Sequence, residues 1–256
     1  NRFASFIIPF LSVFLCIPAL TFGQAMQAEA WSGSSGELGY SLEHRSLSDS
    51  LPNRPTSGLK INGSFLFGAG GDKLSVGETT EGDEITICTG GGFGMAASLG
   101  YNFFSRADLE VSAGFRVNWN RPECDNGDWT FSRVPLLATA RYWIPTKNNA
   151  FVKLGGGAGY YTNVKYEMDV DLGGSHQEET IEYDNAPGFH VVGEYEIIGP
   201  AKPFSFTLGV RYSFVTYTAN AAYSQGTTYS VNDIRSDFRE LKGGGFHFYF
   251  GFGYYF

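Results

Sequence analysis

The feature that most constrains this chain is an alternation of apolar and polar side chains that recurs in eight separate stretches. In the stretch nearest the C-terminus, every second residue is aromatic: Phe246, Phe248, Phe250, Phe252, Tyr254 and Phe256. Because successive side chains of a β-strand point to opposite faces, a period of two predicts strands with one apolar face. The other stretches lie at residues 59–68, 93–102, 109–119, 133–143, 152–165, 189–197 and 204–214.

The residues on the polar faces indicate which side of these strands is enclosed. They are mainly Gly, Ala, Ser, Asn and Thr, whereas a soluble barrel carries Lys and Glu at most positions of its outer face. An eight-stranded barrel is only just wide enough for its side chains to fill, so small polar groups fit inside it. The apolar rows then face lipid. The sequence therefore predicts an all-β fold, an eight-stranded antiparallel transmembrane up-and-down β-barrel.

Three segments are expected along the chain. A long apolar run ends in Ala-Glu-Ala at residues 28–30, which supplies the small residues of a signal-peptidase cut before Trp31. Residues 1–30 are therefore interpreted as a cleaved signal peptide, with an uncleaved helical anchor as the alternative. Residues 31–57 are polar and rich in Ser, and we expect a flexible periplasmic N-terminal segment, or else a plug that enters the barrel. Residues 58–256 are the predicted barrel.

The connections between the stretches alternate in length. Three are short, at residues 105–106, 145–149 and 199–203, and the others are generally longer, at roughly 70–88, 120–128, 167–187 and 217–242. Short periplasmic turns opposite longer outer loops are typical of outer-membrane barrels, so the short connections are expected to face the periplasm. Two of the long connections are acidic, which favours solvated loops or, alternatively, a divalent-cation bridge to lipopolysaccharide.

The signal-peptide pattern, the eight stretches, the VPLLATARYWIP and FVKLGGGAGYY pair and the aromatic C-terminal strand together resemble the small outer-membrane β-barrel proteins, such as OmpA, OmpX and OmpW relatives. The resemblance covers residues 58–256. It implies a location in the bacterial outer membrane and contact with outer-membrane lipid and lipopolysaccharide. It also implies that Phe252, Tyr254 and Phe256 belong to a C-terminal assembly signal recognised by the barrel-assembly machinery. We expect a monomer.

Charged side chains at lumen-facing positions are the main candidates for chemistry inside the barrel. They are Lys60, Glu110, Arg116, Arg133, Arg141, Lys153, Lys165, Glu194, Glu196 and Arg211. Because an unpaired buried charge is strongly unfavourable, we expect an internal ion-pair network in which Glu110 meets Arg141. The two carboxylates of the sixth stretch are expected to meet Lys153 or Arg211. Such a network would fill the lumen; the alternative is a narrow anion-preferring pathway along the basic excess.

Two cysteines follow the predicted signal peptide. Cys88 and Cys124 are expected at the same rim of the barrel, before the second stretch and after the third. In an oxidising compartment they are candidates for a disulfide that joins the first two loops, with an unpaired or metal-binding pair as the alternative. Without matching histidines they form a poor zinc site, so no metal is predicted.

The sequence favours a structural or surface-interaction role over catalysis. No cofactor is expected, and no nucleic acid, because the net charge of −8 provides no basic stripe for phosphates. An enzyme is not predicted: no nucleophile lies beside a base, and His190 and His247 are interpreted as hydrogen-bonded lumen residues. The alternative function is an OmpW-like channel for small hydrophobic molecules, or a narrow pore. Four aromatic residues expected near the outer mouth would line its cavity or form an interfacial girdle: Trp119, Trp129, Phe131 and Tyr217.

Overall fold

The structure is a computed structural model in which eight long strands close into a barrel. It describes residues 58–70, 73–78, 82–103, 106–119, 127–146, 149–172, 175–199 and 203–256. The predicted signal peptide, the N-terminal segment 31–57 and Cys124 lie outside the described residues, and the statements about them stay predictions. No helix in the described ranges is long and apolar enough to cross a membrane.

Thirteen strands and two short helical turns make up the described chain. The strands are β1 (Gly58–Gly70), β2 (Lys73–Glu78), β3 (Glu84–Cys88), β4 (Gly92–Phe103), β5 (Ala107–Trp119), β6 (Gly127–Pro145), β7 (Ala150–Leu172), β8 (Ser175–Tyr183), β9 (Ala186–Ile198), β10 (Phe204–Ser224), β11 (Thr227–Tyr229), β12 (Glu240–Lys242) and β13 (Gly245–Tyr255). A 3₁₀ turn at Val231–Asp233 and the helix α1 at Ser236–Arg239 lie between β11 and β12.

The ring runs β1-β4-β5-β6-β7-β9-β10-β13 and returns to β1, with every neighbouring pair antiparallel. At the closing seam, Ile61 of β1 is paired with Tyr254 of β13 on one side and with Leu99 of β4 on the other. The N–H of Phe256 donates to the carbonyl of Leu59 at 2.9 Å. Closure leaves no unpaired edge strand, which a barrel in hydrocarbon requires. The prediction of an eight-stranded antiparallel barrel is confirmed.

The outer surface of this ring is apolar. Phe252 is 62% exposed, whereas Lys60 on the opposite face of the wall is 3% exposed. Large apolar side chains on the outside come from all eight barrel strands, and they include Leu59, Ile61, Phe65, Phe67, Met95, Leu99, Tyr101, Leu109, Val111, Phe115, Leu136, Tyr142, Leu154, Tyr160, Phe189, Val191, Phe204, Phe214, Phe246, Phe252 and Tyr254. An apolar surface of this extent is unfavourable in water, so it is a lipid-facing surface.

A β-bulge in β7 reverses the alternation of that strand. Ser132 is paired with Lys165 but Val134 with Thr162, so two residues of β7 oppose one of β6, and Asn163 has a φ of 48°. Beyond the bulge Val164 turns inward, and Lys165 points outward to form an exposed ion pair with Glu182 at 2.8 Å. The prediction that Lys165 faces the lumen is therefore wrong, because one extra residue exchanges the two faces of a strand.

At the end with the long connections, the chain folds over the barrel mouth. The hairpin β2–β3, the extended ends of β6, β7 and β10, strand β8 and helix α1 share an apolar core, which we call the roof cluster. Its buried members are Leu74, Ile85, Ile87, Trp129, Phe131, Leu137, Tyr161, Val164, Tyr166, Ile181, Tyr183, Ala186, Val215, Tyr217, Ala219, Ala222, Ile234, Phe238 and Leu241. The connections interpreted as solvated loops thus contribute apolar side chains to a folded cap.

Candidate functional site

The candidate site is the barrel lumen, which side chains fill in layers from the end with the short turns to the roof cluster. The first layer is an apolar floor of three aromatic residues and one isoleucine, all of them buried: Trp143, Phe151, Tyr255 and Ile198. The rings of Trp143 and Phe151 lie 5.4 Å apart between centroids, and the ammonium of Lys153 lies 3.7 Å from the centre of the Trp143 ring. The floor therefore joins apolar packing to a cation–π contact with the layer above.

Above the floor, one guanidinium meets three carboxylates. Arg141 of β6 donates to Asp108 at 2.7 Å, to Glu110 at 2.8 Å and to Glu194 at 2.7 Å. Glu194 accepts through both of its oxygens. All of these side chains are buried, and charge-assisted hydrogen bonds of this length are the strong kind. The pairing expected between Glu110 and Arg141 is present in this group.

Two lysines share the remaining carboxylate of the same layer. Glu196 lies 2.6 Å from the ammonium of Lys60 and 2.5 Å from that of Lys153, and the hydroxyl of Tyr255 donates to it at 2.9 Å. Lys153 also contacts Asp108 at 3.1 Å, which connects this group to the carboxylates around Arg141. We call the set the ionic layer: Lys60, Asp108, Glu110, Arg141, Lys153, Glu194 and Glu196. Its three cations and four carboxylates form one continuous network.

A second group of cations, the arginine belt, lies between the ionic layer and the roof. It consists of Arg116 on β5, Arg133 on β6 and Arg211 on β10. Arg116 and Arg133 are directly opposite each other in the antiparallel register, and Arg211 is opposite His247. The Nη1 atom of Arg116 lies 2.8 Å from Nε2 of His247, and the guanidinium of Arg211 stacks 5.3 Å from the Tyr249 ring centre. Like charges directly opposite on a sheet destabilise it unless something compensates them.

Arg133 is held by a backbone segment that crosses the top of the lumen. It donates to the carbonyls of Thr89 at 2.6 Å and of Gly91 at 2.9 Å, and the Thr89 hydroxyl donates to the carbonyl of Lys242 at 2.6 Å. We call residues 88–91 the crossbar. Arg133 is on β6, which lies across the ring from the β1–β13 seam. On the seam side, the crossbar packs so closely that a Cβ at Gly90 would lie 1.8 Å from the Gly244 carbonyl oxygen. The crossbar therefore closes the lumen below the roof cluster.

The roof cluster occupies the space where a ligand cavity would be expected. Phe131 and Tyr217 are fully buried and contact each other with ring centroids 5.6 Å apart. Trp129 is buried in the same cluster, whereas Trp119 is 56% exposed on the outer wall, where an interfacial girdle residue lies. The four aromatic residues expected near the mouth thus divide into three roof residues and one outward residue.

Little open space remains between the ionic layer and the arginine belt. One internal cavity there leaves about 10 Å³ for the centres of water-sized molecules, which is room for about one water. Residues of both groups line it, together with hydroxyl side chains: Lys60, Glu110, Arg141, Glu194 and Arg211, with Ser64, Ser98, Ser112 and Thr207. The side chains that surround this cavity are therefore mostly polar.

The predicted lumen residues are all buried inside the barrel, apart from Lys165. The structure brings six of them into the ionic layer, namely Lys60, Glu110, Arg141, Lys153, Glu194 and Glu196, and three into the arginine belt, namely Arg116, Arg133 and Arg211. Sequence reasoning missed Asp108, although its spacing of two from Glu110 was a usable signal. It also missed the crossbar, because backbone acceptors leave no mark in the sequence.

The remaining candidate residues divide between the lumen and the outer surface. His190 is buried and lies 2.9 Å from the Thr139 hydroxyl, and His247 is buried beside Arg116. Phe252, Tyr254 and Phe256 point outward, and their role in assembly stays a prediction. The disulfide between Cys88 and Cys124 also stays a prediction. Within the described ranges, no group of three or more His, Cys, Asp or Glu side chains could hold a metal ion.

Comparison with solved structures returns membrane barrels of similar size. Neisserial surface protein A is 15% identical, with a TM-score of 0.42, over 79% of this chain and 98% of that one. OprG from Pseudomonas aeruginosa is 13% identical, with a TM-score of 0.47, over 78% and 96%. AlkL in lipid bilayers is 14% identical, with a TM-score of 0.42, over 88% and 96%.

The closed eight-stranded ring and its apolar outer wall, described above, decide the class. The fold is that of a small outer-membrane β-barrel. No protein-family model and no curated protein sequence matches the chain. A barrel of this class presents lipid-facing side chains outside and polar ones inside, which is the distribution seen here.

Proposed function

We propose that the protein is a resident of the bacterial outer membrane with a structural or surface-interaction role and a lumen that does not conduct. One observation supports this proposal: buried side chains of the floor, the ionic layer, the arginine belt and the roof cluster, together with the crossbar, occupy the described lumen. An eight-stranded ring has no spare bore once such side chains occupy it.

The surface-interaction part of the proposal is supported by the folded cap. Strands β7 and β8 continue beyond the lipid-facing rows as a hairpin that carries many carboxylates, including Glu167, Asp169, Asp171, Glu178, Glu179 and Glu182. A paired acidic hairpin at the long-connection end suits contact with lipopolysaccharide through divalent cations. We propose outer-membrane lipid and lipopolysaccharide as its surroundings, and the barrel-assembly machinery as its partner during biogenesis.

We propose no catalytic activity for the lumen and no channel for hydrophobic molecules. His190 contacts the Thr139 hydroxyl, but both residues are buried away from any substrate, and His247 contacts Arg116 instead of a hydroxyl or thiol. A hydrophobic channel needs an apolar cavity at the outer mouth, and the roof cluster fills that space with its own side chains.

Planar-bilayer conductance of the refolded protein tests the proposal. The wild-type barrel is expected to show no single-channel steps, and uptake of a fluorescent hydrophobic probe into vesicles is expected to equal that of protein-free vesicles. The Arg211→Ala variant should also show no conductance steps, because the ionic layer beneath Arg211 still blocks the lumen. Regular conductance steps in the wild type would replace this proposal with the narrow-pore alternative.

A further inference from the structure

The arginine belt is a cluster of buried positive charges that the described carboxylates do not neutralise. Arg116, Arg133 and Arg211 are 2%, 1% and 5% exposed. None of them has a carboxylate within 4 Å among the described residues, because the lumen carboxylates are engaged by Arg141, Lys60 and Lys153 in the ionic layer. The belt therefore holds three positive charges, and the ionic layer below it leaves one negative charge in excess.

The three belt arginines differ in the kind of partner that each of them contacts. Among the described residues, Arg133 has the crossbar carbonyls and Arg116 has His247, whereas Arg211 stacks on the face of the Tyr249 ring and interacts with Glu110 through its charge alone. The Nε atoms of all three are buried without a hydrogen-bond partner in the described protein. Arg116 interacts electrostatically with both of the other guanidiniums, so the charges act on one another. Buried charge in this state is strongly unfavourable unless a counter-charge lies nearby.

The size of the cavity beside Arg211 limits which negatively charged group can fit there. Arg211 lines the internal cavity together with the hydroxyls of Thr207 and Ser98, whose oxygens also have no partner in the described protein. Guanidinium and hydroxyl groups can all donate to an anion. Room for about one water accommodates a single-atom ion and excludes a phosphate group. Glu110 and Glu194 also line the cavity, with their carboxylates bonded to Arg141.

We propose that the belt side of this cavity is a binding site for a small monovalent inorganic anion of the halide class. Arg211 and the hydroxyls of Thr207 and Ser98 bind the ion directly, and Arg116 and Arg133 supply positive potential. The ion compensates the excess charge of the upper lumen, so it is a structural component of the folded barrel.

Bromide soaked into crystals of the refolded protein is the direct test. Anomalous diffraction at the bromine edge is expected to show one peak inside the lumen within hydrogen-bonding distance of Arg211. A map with bromide only on the outer surface, or with none at all, would overturn the proposal.

Halide-dependent stability provides a second readout in solution. At constant ionic strength, replacing gluconate by bromide is expected to raise the Tm of the wild type by about 2–4 °C. Arg211→Gln should lose this response, Arg211→Lys should keep it, and Lys165→Gln on the outer surface should leave it unchanged. Phosphate in place of bromide should give no rise. An unaltered bromide response in Arg211→Gln, or an equal rise with phosphate, would contradict a halide site.

Discussion

At the scale of single residues, Arg141 has the most demanding position in the barrel. Its guanidinium contacts three buried carboxylates, two from the neighbouring strand β5 and one from β9, which is separated from β6 by β7. Each carboxylate would be strongly unfavourable alone in a low-dielectric interior, and Glu110 and Glu194 have Arg141 as their cation in the ionic layer.

We expect Arg141→Ala to lower the free energy of unfolding by about 3–5 kcal/mol, because it leaves buried carboxylates without their cation. Urea unfolding of the refolded barrel, followed by the mobility shift on unheated gels, measures the change. Lys165→Ala is the matched control: it breaks an exposed ion pair with Glu182, and such pairs contribute about 0–1 kcal/mol. Similar losses in the two variants would show that the ionic layer is not a buried network.

The exposed His176 offers a residue-scale prediction about pH. The Nδ1–H of His176 donates to the Asp171 carboxylate at 3.1 Å, and this hydrogen bond and the charge of Asp169 raise the pKa of His176 above its usual value of 6.5. Because the folded pKa is raised, this contact stabilises the β7–β8 hairpin fully below the unfolded pKa and loses that effect as the pH rises through the folded pKa.

An NMR titration of the imidazole is expected to place the His176 pKa above that of a histidine in an unfolded peptide. In Asp171→Asn the value should fall toward the peptide value, whereas in Asp184→Asn, a carboxylate bonded instead to Asn220, it should not move. An unchanged pKa in Asp171→Asn would contradict the contact.

At the scale of elements, the crossbar joins the hairpin β2–β3 to the barrel wall. It passes so close to the backbone near β13 that a Cβ at Gly90 would collide with the Gly244 carbonyl and a Cβ at Gly245 with the Gly90 carbonyl. This close approach lets Arg133 span the lumen to the crossbar carbonyls and lets Ile85 and Ile87 reach the roof cluster.

A Gly90→Ala substitution is expected to displace the crossbar and to destabilise the protein by about 1–3 kcal/mol, as overpacking does. Protease cleavage within β2–β3 should accelerate as the hairpin leaves the mouth. Gly63→Ala is the control, since a Cβ there meets no atom within 4 Å. Cleavage at the wild-type rate in Gly90→Ala would show that the crossbar tolerates displacement.

At the scale of the whole molecule, the apolar outer wall is the property that determines where the protein resides. Mid-wall residues such as Leu99 are paired on both sides with other outward apolar residues, here Ile61 and Val111. Residues near strand ends, such as Phe103, lie closer to the polar boundary of the membrane.

We therefore expect a depth-dependent cost for charge on the outer wall. Leu99→Arg should destabilise the barrel in lipid vesicles by about 2–4 kcal/mol, and Phe103→Arg by about 0–1 kcal/mol, because the second site lies near the interface. Urea unfolding in vesicles gives both values. Equal costs at the two positions would contradict the lipid-facing assignment of the wall.

The sequence by itself determined the strands and their faces, because a period of two is a local property of each stretch. All eight predicted stretches are barrel strands, and rows such as Phe246 to Phe256 point outward. The local pattern could not show the bulge at Asn163, which reverses Lys165, since the extra residue is defined only against the partner strand.

Tertiary structure alone decided which lumen charges meet and what covers the mouth. Arg141 meets Glu194 past the intervening strand β7, and Arg133 bonds to crossbar carbonyls, so neither contact has a sequence spacing that could predict it. The apolar residues of β2–β3 belong to the roof because the closed barrel places Phe131 and Tyr217 beneath them. Alternation specifies a wall locally, whereas the contents of its lumen depend on side chains that only closure brings together.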